Sequence, residues 1–120
     1  MEFGNPIAVF GKEKTKAMGD RIMLLRIDLQ DGFEGDTVVV KINNMEAYRK
    51  KGVKTQLTLG YADSLESEVP VGQNTIEIEL PEKNIFERIS LNVSTPVYLG
   101  LSVSDGKIAA RQSKEFFAYL

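Results

Sequence analysis

The 120-residue chain carries 15 Lys and Arg against 17 Asp and Glu, a formal net charge of −2, with 42% hydrophobic and 27% charged residues. That balance describes a single domain over residues 1–120 with its own core. It excludes a disordered chain, a span of about 18 apolar residues for a membrane, and nucleic acid as the main partner. Cys, His and Trp are all absent, which removes disulfides, thiolate zinc sites, thiol nucleophiles and imidazole bases or ligands. The chain therefore reads as non-enzymatic and without a cofactor.

The opening Met1-Glu2-Phe3-Gly4-Asn5-Pro6 has no basic region followed by an apolar stretch, so it does not read as a secretory signal. Residues 21–29, Arg21-Ile22-Met23-Leu24-Leu25-Arg26-Ile27-Asp28-Leu29, are apolar on both parities at their start, which predicts a central strand covered on both faces there. Asp28, Asp31, Glu34 and Asp36 with Gly32 and Gly35 follow. Such a loop offers oxygen ligands to a hard cation, but the spacing is not that of an EF-hand and a turn is the simpler reading, so no metal is assigned. Val38, Val40 and Ile42 alternate as a half-buried strand.

Lys41, Arg49, Lys50, Lys51 and Lys54 then face a single acid, Glu46. Within this run Asn44 can cap a short helix over Met45 to Lys51 that Gly52 terminates. Alternation resumes at Val53, Thr55, Leu57, Leu59 and Tyr61. Glu66 and Glu68 fall in a polar loop, where neither the burial nor the fixed separation of a catalytic carboxylate pair is provided. The segment from Asp63 to Glu87 is acidic, opposed by Lys83, so a basic stretch precedes an acidic one. Solvated outer faces explain this; a bipolar surface that docks copies head to tail is the functional alternative.

Ile76, Ile78 and Leu80 alternate with Glu77 and Glu79, and Ile89, Leu91 and Val93 repeat the pattern, with turns at Pro70 to Asn74 and Pro81 to Asn84. After Thr95-Pro96, residues Val97, Leu99, Leu101 and Val103 face the core. Tyr98 takes the opposite parity beside Gly100 and Ser102, so it stands on an outer face with open surface next to it. Asp105-Gly106 suits a two-residue hairpin turn that pairs Ser104 with Lys107, Val103 with Ile108 and Leu101 with Ala110. Carried further, that register sets Gln112 against Leu99, which predicts a bulge or exit near Arg111 to Ser113. The chain finishes on Phe116-Phe117-Ala118-Tyr119-Leu120, apolar on both parities, so one face is expected in the core and the other under a neighbouring strand or subunit.

Together these runs predict an all-β fold, an antiparallel β-sandwich of about eight strands with at most one short helix. The alternating strands and the Asp-Gly hairpin resemble immunoglobulin-like and jelly-roll sandwiches, a resemblance that carries no function by itself. The primary functional expectation is a structural or assembly module of a virion, appendage, surface or complex. It would self-associate, or bind another protein, through β edges and the segment Phe116, Phe117, Tyr119 and Leu120, with Tyr98 as a further contact. Arg49, Lys50, Lys51 and Lys54 form its charged surface. The alternative is a ligand-binding module, above all for a glycan, using exposed tyrosines with loop amides such as Asn43, Asn44 and Gln73.

Overall fold

The computed structural model describes residues 21–119. Eight strands form two four-stranded sheets packed face to face. They are β1 (Ile22–Leu29), β2 (Glu34–Ile42), β3 (Met45–Lys54), β4 (Asp63–Pro70), β5 (Gly72–Leu80), β6 (Ile85–Val93), β7 (Val97–Ser104) and β8 (Lys107–Ser113). Sheet I has the order β4-β1-β7-β8 and sheet II the order β3-β2-β5-β6. All pairings are antiparallel except β1 with β7, which run parallel. The predicted all-β sandwich is thus what the chain forms.

The period-2 pattern explains the core. Leu25, Ile27 and Leu29 of β1, Val38 and Val40 of β2, Ile76, Ile78 and Leu80 of β5, and Leu99 and Leu101 of β7 are almost completely buried between the sheets. β1 is central, as predicted, but its cover lies at the other end from that expected: Ile22 is exposed at its start, whereas Asp28 on the outer parity is buried at its end.

Several segments depart from the sequence reading. Met45 to Lys51 is strand, not helix. Asn43 and Asn44 take left-handed backbone angles (φ 51° and 70°), which makes them the tight turn of a β2–β3 hairpin with Ile42 opposite Met45. Asn43 is fixed there because its side-chain amide donates to Asn74 Oδ1 at 2.8 Å while its own Oδ1 accepts the Thr75 amide at 2.9 Å. A run with modest helix preference pairs with β2 because the tertiary ladder outweighs local propensity. Alternation beyond Val53 also fails: β3 ends at Lys54 and Leu57 projects 94% exposed from a turn that Gln56 and Tyr61 close.

The polar loop expected around Glu66 is instead β4 at the edge of sheet I, with both glutamates on its outer face opposite Arg26 and Leu24. Ser64, Glu66, Ser67 and Glu68 conceal its alternation, since Leu65 and Val69 are the only large apolar side chains turned inward. The Asp105-Gly106 turn (φ 53° and 74°) holds the predicted register. That register then runs without a bulge to Tyr98 opposite Ser113, and the chain leaves only afterwards. Gln112 is tolerated opposite Leu99 because β8 is an edge strand and leaves the Gln112 side chain in solvent.

Candidate functional site

The outer face of sheet I carries a connected polar structure. Ser113 starts it: its hydroxyl accepts the Glu115 amide at 3.0 Å and turns the chain out of β8. Residues 114–119 then lie across the outer face as an irregular segment, neither entering the core nor adding a strand. This corrects the expectation that one face of the tail enters the sandwich. Leu120 lies outside the described residues.

Each aromatic of the tail meets a partner prepared for it. Phe116 covers Tyr98, with ring centroids 4.7 Å apart, and lies 5.4 Å from the Arg26 guanidinium, yet remains 64% exposed on its far side. Phe117 receives the Arg111 guanidinium at 4.7 Å from its centroid. Tyr119 stacks on Tyr61 at 4.8 Å, close over Gly60, where an added Cβ would meet the Tyr119 ring at 3.2 Å. Tyr98 does stand on the outer face, but Phe116 covers part of it, and it belongs to the opposite sheet from Asn43, Asn44 and Gln73.

Beneath the tail is a chain of charge-assisted hydrogen bonds. The Tyr119 hydroxyl donates to Asp28 Oδ2 at 2.7 Å and accepts from Gln30 Nε2 at 2.8 Å. Arg26 Nε donates to Asp28 Oδ1 at 2.9 Å, and the same guanidinium reaches Glu66 at 3.1 Å and Ser64 at 3.2 Å. Asp28 is 3% exposed, and these bonds satisfy both of its carboxylate oxygens. Burial, and then the bond to the Asp28 carboxylate, push the Tyr119 phenol up to about 12.

Gly100 is the floor of this arrangement. A Cβ there would come within 2.5 Å of Gln30 Oε1, so only glycine lets the Gln30 amide lie flat on β7. Beside it opens a depression of about 210 Å³ bounded by Gln30, Asp31, Gly100, Ser102 and Arg111, with Ala109 and Ala110 keeping the β8 side low.

The charged residues are distributed differently from a bipolar surface. β3 and β4 face each other along one open side of the sandwich, where Lys50 pairs with Asp63 at 3.2 Å and Tyr48 donates to the same carboxylate at 2.7 Å. Burial opposes ionisation of Asp63, but the bonds from Tyr48, Ser64 and Lys50 outweigh it and hold the carboxyl below its usual range. Arg49 is taken by Glu46 at 2.9 Å on the outer face of sheet II, while Lys51 and Lys54 project into solvent.

The acidic loop does not converge on a cation. Asp28 faces Arg26, Asp36 binds Lys83 at 3.1 Å, and Glu34 binds the same Lys83 at 2.9 Å. Among the described residues no group of three or more acidic side chains is placed to hold a metal ion. A second depression, about 380 Å³, runs between β3 and β4 past Met45, Glu46, Glu66 and Glu68, and Glu66 there is already paired with Arg26.

Sequence reasoning did not single out Asp28, Gln30 or Arg111 as one constellation. The available signal was small: Gly100 and Ser102 beside Tyr98 announced open surface, without showing which side chain would use it. No protein-family model matches this chain, and no curated protein matches it significantly.

Proposed function

We propose that this chain is a non-enzymatic assembly module that joins a second copy of itself, or another protein, through the edge of β8 that no other described strand covers and the aromatic segment laid beside it. The observation that supports this reading is the exposed aromatic segment laid beside the edge strand β8. β3 is interrupted by three register shifts and carries Lys50, Lys51 and Lys54, and β4 carries Glu66, Glu68 and Pro70. β6 places Glu87 and Arg88 side by side. Lysines, irregular registers and proline all discourage a further strand from adding. β8 holds a continuous register with the uncharged run Ile108-Ala109-Ala110 between Lys107 and Arg111; β6 is as regular and has its own uncharged run, Ile89 to Val93, so the aromatic segment is what sets β8 apart. Phe116 adds exposed aromatic surface on the same sheet.

Ala110 is exposed, so Ala110→Lys places a charge on that edge without entering the core. Molar mass by light scattering after size exclusion, over a dilution series at low and high salt, tests the reading. The unaltered chain is expected to associate with rising concentration and to resist salt, and Ala110→Lys to return it to a monomer with an unchanged melting temperature. A strict monomer at every concentration, or an oligomer that Ala110→Lys leaves intact, refutes self-assembly through this edge.

A further inference from the structure

We infer that the depression beside the tail is a binding site for an acidic sugar, a ring with adjacent hydroxyls and one carboxylate. The starting observation is Gln30. Its side chain is buried on the outer face of sheet I, with the residue only 4% exposed, and its Nε2 is used by the Tyr119 hydroxyl. No donor among the described residues reaches its Oε1, and buried acceptors are seldom left without a partner. Gly100 keeps the floor clear so that this amide can lie there.

The surrounding groups define what fits. The Ser102 hydroxyl accepts the Asp31 amide at 3.2 Å and still has its own proton to give. Asp31 contributes an exposed carboxylate to the same depression as the Gln30 oxygen that no donor of the described residues reaches. Two acceptors lining one depression suit adjacent hydroxyls, each of which gives one proton. Arg111 lies on the opposite wall, held over Phe117, with no carboxylate of the described residues at ion-pair distance. A guanidinium in that position takes a carboxylate in a two-pronged bond.

The cleft is open and about 210 Å³, which accommodates one sugar ring and leaves the rest of a glycan in solvent. A free amino acid would offer the same carboxylate. Its ammonium is a single compact donor group that an open site leaves hydrated, so the pair of acceptors favours the diol.

Amide-resolved NMR titration of the full chain with glucuronate, glucose and glycine tests the inference. Glucuronate is expected to give saturable shifts at the Gln30 side-chain amide, at residues 100–102 and at residues 109–111. Glucose, which lacks the carboxylate, should bind at least about tenfold more weakly. Arg111→Gln, an exposed substitution checked by its melting temperature, should cause a similar loss for glucuronate and remove the preference over glucose. Absence of saturable shifts with glucuronate overturns the proposal. So does equal affinity for glucose, tighter binding of glycine, or an Arg111→Gln protein that binds glucuronate as before.

Discussion

Replacing Tyr119 by Phe removes one oxygen atom and isolates what the polar part of the tail contributes. That oxygen donates to the buried Asp28 carboxylate at 2.7 Å and accepts from Gln30 at 2.8 Å. A hydrogen bond to a charged group is worth about 1.5–3 kcal/mol and a neutral one about 1 kcal/mol. Asp28 keeps its bond from Arg26, and the half-buried tail admits water to the vacated position, so the net loss should be about 2 kcal/mol. With a urea slope of about 1.5 kcal/mol per molar, the unfolding midpoint should fall by about 1.3 M at constant slope. Stacking against Tyr61 survives because the ring is unchanged. Tyr98→Phe is the control, since no partner of its hydroxyl occurs among the described residues, and it should leave the midpoint in place. A Tyr119→Phe midpoint within about 0.3 M of the parent would show that the tail is held by its rings alone, and the argument from Asp28 would fail.

Two further outcomes follow from the same geometry. The Tyr119 phenol is raised to about 12 in the folded chain against about 10 when unfolded. The unfolded state therefore loses its proton first, and stability that is complete below pH 10 should decline as pH rises through 10 towards 12, as urea midpoints at several pH values would show. Tyr48 is raised in the same direction by its burial and by Asp63, so Tyr119→Phe should reduce this alkaline loss without abolishing it; a flat profile would contradict both assignments. Gly32→Ala places a Cβ 2.0 Å from the Val103 carbonyl oxygen at a φ of 87°, and should cost about 3 kcal/mol, or about 10 °C in melting temperature. Gly35→Ala, at a φ of 93° with no atom within 4 Å of the added carbon, should cost about 1 kcal/mol, and equal losses at the two sites would refute the steric account.

What could be read from the chain followed from how strongly each segment declares a period. Ile76, Ile78 and Leu80 alternate with charged residues, and the Asp105-Gly106 turn dictates its own register, so both were legible in advance. β4 was not, because Ser64, Glu66, Ser67 and Glu68 mask its two inward apolar positions. β3 was misread because Asn44 before Met45 to Lys51 satisfies the rules for a capped helix, and only the pairing with β2 decides otherwise. The tail was correctly singled out as apolar, but its destination was hidden: the Asp28, Gln30 and Gly100 surface that receives it is assembled from β1, its following loop and β7, some 16 to 91 residues earlier in the chain. Gln112 shows the converse limit, since opposition to an apolar residue predicts a break only where the other sheet covers both.

The parallel pairing of β1 with β7 has a consequence for how the chain is made. Leu25 lies opposite Val97, a separation of 72 residues, and β1 has no earlier neighbour in its sheet except the edge strand β4. The hairpins β2–β3 and β5–β6 close over short loops, whereas β1 must wait for its β7 partner until the segment from Val97 onward has been made. Until then the β7-side edge of β1 has its backbone groups unpaired, and closing so long a loop makes this the slow step of folding. A chain interrupted before residue 97 keeps β1 with one open edge, and becomes a substrate for chaperones and proteases.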